Sequence, residues 1–208
     1  YKRQVKPKVL VAIDQYEYAG KTFNLMEKIT TVSKNLEHVS KVFIVHDLDT
    51  EIDYKSLENA VPFHDYLNHD EELQFSALPF DHPLFIMYSS GTTGKPKCIV
   101  HSAGGTLIQH MKEHQLHLDL KPNDRLFFFT TCGWMMWNWL VSALASKATI
   151  ILYEGSPFHP HNEFLWAVAE EEKINHFGIS PRYITTMMKE NIKPLETVSY
   201  THLTLPTK

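Results

Sequence analysis

Short apolar runs alternate along the chain with longer stretches whose apolar positions recur at helical spacing. Val9-Leu10-Val11-Ala12-Ile13 and Val42-Phe43-Ile44-Val45 are continuous apolar runs of strand length. Between them, Leu25, Met26, Ile29, Val32 and Leu36 mark one face of a helix expected over residues 21–36. Residues 47–79 are polar and carry Pro62 and several acids, so they are expected to connect, with at most short helices such as residues 64–68. The apolar pattern resumes at Leu84-Phe85-Ile86-Met87-Tyr88 and at Cys98-Ile99-Val100. Helices are then expected over residues 103–117 (despite Gly104 and Gly105), 134–145 and 163–172, and strands over 125–130, 148–153 and 174–179. Pro181, at a first turn where a missing N–H costs nothing, opens one more helix. Strand alternating with helix implies the α/β class, with parallel sheets flanked by helices.

One segment stands apart from this periodicity. Tyr88-Ser89-Ser90-Gly91-Thr92-Thr93-Gly94-Lys95-Pro96-Lys97 sets Ser and Thr hydroxyls, two glycines and two lysines directly after an apolar strand. Glycines let the backbone turn with positive φ and approach a ligand closely. Successive N–H groups in such a turn form an anion-binding nest, and hydroxyls and lysines add further donors. The spacing is not that of a Walker A loop, which needs four residues between its glycines and a Ser or Thr after the lysine. Here two residues separate Gly91 from Gly94, and Pro96 follows Lys95. The string as a whole is read as a phosphate loop.

Ser89 to Lys97 resembles the phosphate-loop signature of the adenylate-forming enzymes: acyl-CoA synthetases, luciferases and peptide-synthetase adenylation domains. The sequence fits that pattern, Ser/Thr-Ser-Gly-Ser/Thr-Thr-Gly-x-Pro-Lys, at every position. His82 to Ile86, His101 to Leu107, Gly133-Trp134-Met135-Met136-Trp137-Asn138-Trp139 and Leu152 to Pro157 are similar, more narrowly, to the acyl-CoA synthetases that act on acetoacetate. The resemblance covers residues 9–197. It implies that residues 1–197 are part of a large N-terminal AMP-binding (adenylation) domain, and the tail 198–208 is expected to be non-native.

The activity that this resemblance implies has two steps. Acetoacetate is activated with ATP to an acyl-adenylate, and coenzyme A then displaces AMP to form a thioester. Mg²⁺ is implied as the triphosphate's counter-ion. Ser89, Ser90, Gly91, Thr92, Thr93, Gly94, Lys95 and Lys97 are the implied ATP-phosphate contacts, and Gly133 and Trp134 the implied wall of the acyl or pantetheine site. The family's adenine motif, ribose-binding aspartate and catalytic lysine are not identified in this sequence, so the isolated chain is expected to be catalytically incomplete. A ligase for acetate or propionate, and a non-catalytic nucleotide-binding module, are the rival readings.

Composition narrows the class further. A hydrophobic content of 43% suffices for a substantial core, and a net charge of −4 offers no basic field for nucleic acid. Cys98 and Cys132 do not form a CxxC motif, which fits a reducing, intracellular setting. No apolar stretch approaches the roughly 18 residues that a membrane span needs. The family resemblance implies the cytosol.

Other candidates carry a plain structural reading beside the chemical one. Trp134, Trp137, Leu140 and Val141 lie at helical spacing and read as core. Asn138, among aromatics, is expected to bond nearby backbone. His110, His114 and His117 follow i, i+4, i+7, a spacing that would suit zinc but reads more simply as a solvated polar face, and no metal site is expected. His101 and Arg182, beside the expected strand ends, read as a structural histidine and a surface arginine.

Overall fold

The computed structural model describes residues 6–46, 57–67, 71–89 and 96–196. They fall into two compact units, residues 1–74 and 75–208.

In the first unit the two apolar runs form β1 (Val9–Ile13) and β4 (Lys41–Val45). They pair in parallel, and β4 pairs in parallel with β5 (Ala60–Pro62), giving the order β1-β4-β5. Residues 21–36 are not all helix. Ala19 and Gly20 both hold positive φ, 52° and 74°, and turn the chain into an antiparallel hairpin. Its strands are β2 (Gln15–Tyr18) and β3 (Lys21–Asn24). Positive φ at both central residues matches the right-handed twist of hairpin strands, and Tyr16 stacks on its cross-strand partner Phe23 at 5.1 Å. The helix α1 is only Met26–Lys34, with Asn24 Oδ1 accepting from the Met26 N–H at 2.9 Å. Ile29, Val42, Ile44 and Leu57 form the buried cluster. Asp14, 3% exposed and directly after β1, has Oδ2 2.8 Å from His46 Nδ1.

The second unit begins with an antiparallel hairpin, β6 (Pro83–Ser89) and β7 (Lys97–Ser102). Both strands were legible as apolar runs; their antiparallel pairing is a departure from the parallel pattern. Helix α2 (Ala103–Lys112) follows β7 without a loop. Its first free N–H groups are met by backbone carbonyls, Ala103 N–H by His82 and Gly104 N–H by Phe80, at 2.8 and 2.9 Å. The helix then widens into a π-helical turn, Glu113–His117.

The parallel sheet of this unit has the order β10-β8-β9, from β8 (Arg125–Phe128), β9 (Thr149–Ile151) and β10 (His176–Gly178). Helices α3 (Met135–Ser142), α4 (Phe164–Glu171) and α5 (Pro181–Lys189) supply its apolar cover. Pro181 opens α5 as its position suggests, and Ser180 Oγ caps it by accepting from the Tyr183 N–H. Two clusters result. Phe127, Leu165, Trp166, Ala169, Ile174, Tyr183 and Met187 form one, and Leu120, Leu126, Trp139, Leu140, Ala143 and Ala148 the other.

Two glycines are required by close approach. A Cβ on Gly178 would sit 2.2 Å from the Phe128 ring, and one on Gly104 would sit 2.1 Å from the Phe80 ring. Phe128 lies across the sheet register from Gly178 and packs edge-on against buried Trp139, so it has nowhere to move. Phe80 is 62% exposed and can swing into solvent. Gly178→Ala is therefore expected to cost about 1–3 kcal/mol in urea-unfolding experiments. Gly104→Ala should cost clearly less; equal losses would contradict this assignment of rigidity.

Candidate functional site

The expected phosphate loop sits at the tip of the β6–β7 hairpin. Ser89, the last residue of β6, lies directly opposite Lys97, the first of β7. Ser90, Gly91, Thr92, Thr93, Gly94 and Lys95 lie outside the described residues. What the fold fixes is therefore the mouth of the loop: one hydroxyl residue facing one lysine across an antiparallel pair. Phe85, Met87 and Ser89 alternate toward the half-buried face of β6, while Leu84, Ile86 and Tyr88 are exposed. The Asn138 side-chain amide reaches Met87 Sδ at 3.7 Å and ties the hairpin to α3. That sulfur, rather than the nearby backbone expected from sequence, is the Asn138 partner.

β7 ends in His101 and Ser102, and these residues open a cavity of about 400 Å³ between α2 and α3. Thr106, His110 and Glu113 line it from the α2 side, and Met135, Met136 and Trp139 from α3. Gly133 and Trp134 immediately precede α3 without lining the cavity, and Trp134 is 71% exposed. Of the expected core positions, Leu140 is buried and Trp137 half-buried, whereas Trp134 and Val141 are exposed; Trp139 and Ala143 are buried instead.

The histidines of α2 depart most from their reading as a solvated face. His110 is 8% exposed and His114 fully buried, while His117 is exposed. The π-helical turn adds a residue to the register after Lys112 and rotates His117 off the face that His110 and His114 share. Among the described residues no cluster of His, Cys, Asp or Glu side chains could hold a metal ion.

Hydrogen bonding fixes the state of His110. Ser142 Oγ lies 2.8 Å from the Asn138 carbonyl, which can only accept, and 2.8 Å from His110 Nδ1. The single Ser142 proton goes to the carbonyl, so His110 Nδ1–H donates to Ser142 Oγ. In the neutral ring the lone pair then sits on Nε2. Burial holds the His110 pKa below its ordinary value, against the opposing pull of Glu113 and with help from His101. His114 is lowered too, by burial first and then by His110, against Glu113 and the Trp139 backbone. Its ring lies 4.4 Å from the Trp139 indole, and neither ring nitrogen has a side-chain partner among the described residues. Glu113 accepts from Trp139 Nε1 at 3.0 Å and from Gln109 Nε2 at 2.6 Å, so its carboxylate is occupied.

The carboxyl ends of the parallel strands gather the remaining candidates. β8 leads through Thr130 and Thr131 to Gly133, and β10 leads to Ser180, Pro181 and Arg182. Open α/β sheets bind ligands at this edge. Arg182 is exposed, in keeping with a surface arginine, and His101 belongs to the cavity wall. Sequence reasoning did not find Thr106, Gln109 or Glu113, because the buried face of α2 is its polar one: Leu107 and Ile108 point outward, 43% and 61% exposed.

Comparison with known proteins bears on the whole chain. The family model described as "AMP-binding enzyme" matches residues 2–205. An acetoacetyl-CoA synthetase of Gallus gallus is 44% identical over 93% of the chain, and an acetoacetyl-coenzyme A synthetase of Rhizobium meliloti (strain 1021) is 45% identical over 98%. The chain spans 30% and 32% of the length of these two relatives. The solved acetoacetyl-CoA synthetase from Streptomyces lividans superposes with a TM-score of 0.87 at 38% identity, over 97% of this chain and 31% of that one.

The two buried rings make stability depend on pH. Their folded pKa values lie below the ordinary 6.5, so the unfolded chain takes up protons first as pH falls. Stability is expected to be insensitive to these rings above neutrality and to decline below pH ~6.5, by at most about 1.4 kcal/mol per pH unit for each ring. His114→Phe, which keeps a ring against Trp139, should flatten the slope measured by urea unfolding between about pH 5 and 7. An unchanged slope would show that His114 charges in the folded state.

Proposed function

The chain belongs to the AMP-binding enzyme family, and we propose that the protein containing it is an acid–thiol ligase that joins acetoacetate to coenzyme A and forms AMP. In the first step a carboxylate oxygen of acetoacetate attacks the α-phosphorus of ATP, and pyrophosphate leaves. In the second, the coenzyme A sulfur attacks the acyl carbon, loses its proton, and AMP leaves with the former carboxylate oxygen. Both steps bring anions together, so they depend on donors held in place before the reactants meet.

The observation that carries this reading is the position of the phosphate-loop string. It spans a hairpin whose mouth is set by Ser89 opposite Lys97, in a chain more than 40% identical to two acetoacetyl-CoA synthetases. On this reading Ser89 to Lys95 surround the β- and γ-phosphates through hydroxyl and backbone donors, and Lys97 supplies charge at the loop exit. Gly133 and Trp134, at the entry to α3, border the acyl and pantetheine path, with the cavity beyond Met135 and Met136 receiving the acyl chain. ATP and coenzyme A are substrates here, and Mg²⁺ would accompany the triphosphate. The same reading assigns the protein to the cytosol; among the described residues no helix is long and apolar enough to cross a membrane.

The test is acetoacetate-dependent exchange of pyrophosphate into ATP by the full-length protein. Exchange should be clearly faster with acetoacetate than with acetate or propionate. Thr93→Val or Lys97→Ala should slow it by about 10²–10³-fold, the range seen when one preorganised donor to a developing charge is removed. Exchange faster with acetate would favour the rival short-acid ligase, and no exchange with any acid would favour a binding module.

A further inference from the structure

The cavity between α2 and α3 carries polar groups that the ligation steps do not use. Three of its lining residues satisfy one another: Glu113 accepts from both Gln109 and Trp139. Ser142 takes the Nδ1 proton of His110 and leaves the ring's Nε2 for the cavity. The hydroxyls of Ser102 and Thr106 also line it, and neither is engaged in a hydrogen bond among the described residues. Thr106 is only 7% exposed, and what its hydroxyl meets is the cavity. A hydroxyl that faces a cavity with no protein partner is poised to meet a ligand. Thr106 and His110 stand one turn apart and share a face of α2. Met135 and Met136 form the apolar wall from α3.

We infer that Thr106 and His110 determine which short acids this protein accepts, by reading one uncharged polar function on the acyl chain. Thr106 Oγ1–H donates to an oxygen carried on the chain beyond the carboxylate. His110, neutral with its lone pair on Nε2, presents no cation and so disfavours a second carboxylate at that place. Methionine sulfur and methyl groups cover the rest of the chain and adapt to its shape. This assignment rests on the ligase reading above and adds to it the two side chains that select the substrate. Discrimination of this kind is effective because the analogue lacking the oxygen leaves a buried hydroxyl unpaired.

The experiment compares pyrophosphate exchange driven by acetoacetate, by butyrate (which lacks the keto oxygen) and by malonate (which adds a charge). In the wild-type full-length protein, kcat/KM should fall in the order acetoacetate, butyrate, malonate. Thr106→Val should lower the acetoacetate-to-butyrate ratio about tenfold, and Thr106→Ser should restore it. A ratio unmoved by Thr106→Val, or lost equally in Thr106→Ser, overturns the inference while leaving the ligase reading intact. Exchange with none of the three acids overturns both. A second readout needs no variant. In ¹⁵N-histidine spectra of the wild-type protein, His110 should show the Nδ1–H tautomer, and its Nε2 signal should move when acetoacetate is added. A signal that stays in place overturns the inference.

Discussion

The indole of Trp139 holds the cavity side of the second unit together. Its Nε1–H donates to Glu113 on the π-helical turn, its face meets His114 at 4.4 Å, and Phe128 of the central strand packs against it at 5.7 Å. One side chain thus joins α3, α2 and the parallel sheet. A hydrogen bond to a charged acceptor is worth about 1.5–3 kcal/mol, and each aromatic contact adds about 0.5–1.5. These contacts explain why α2 can bury a polar face. Glu113 is occupied by Trp139 and Gln109, His110 by Ser142, and His114 is held neutral by burial. Bonds among the lining residues fix the cavity's walls.

Much of the fold was legible in the sequence. Continuous apolar runs located β1, β4, β6 and β8, of which β4 and β8 bury theirs in parallel sheets while Val9, Val11, Leu84 and Ile86 of β1 and β6 stay exposed. Pro181 after a strand marked α5, since proline fits a first helical turn. The hairpin β2–β3 was not legible: Ala19 at φ 52° is an unusual residue for such a turn, and Leu25 and Met26 mimic the start of a longer helix. The loop string stood out in the sequence, and the cavity did not. Period-based reading assumes that apolar residues face inward and that 3.6 residues make a turn. α2 violates the first assumption with Thr106, His110 and His114 inward and Ile108 outward, and the π-helical turn violates the second at His117. Such violations concentrate where a fold has been shaped for a ligand.

Register is the remaining constraint on the site. A one-residue slip in β6 against β7 would turn Phe85, Met87 and Ser89 off the half-buried face and exchange them for Leu84, Ile86 and Tyr88. A two-stranded hairpin alone is marginal in water, so its register has to be held from outside. The direct run of β7 into α2 holds one end, the carbonyls of Phe80 and His82 hold the start of α2, and Asn138 holds Met87 from α3. β7 also sets a distance. From Lys97 at the loop mouth to Ser102 at the cavity, its residues rise by about 3.4 Å each and span about 17 Å. On the proposed function, the phosphate-facing and acyl-facing ends are two ends of one strand, and their separation is inherited from backbone geometry. On the same proposal, Thr106 and His110 lie on the helix beyond β7, so substitutions there can change which acid is accepted while the β6–β7 pairing that sets the loop mouth stays in place.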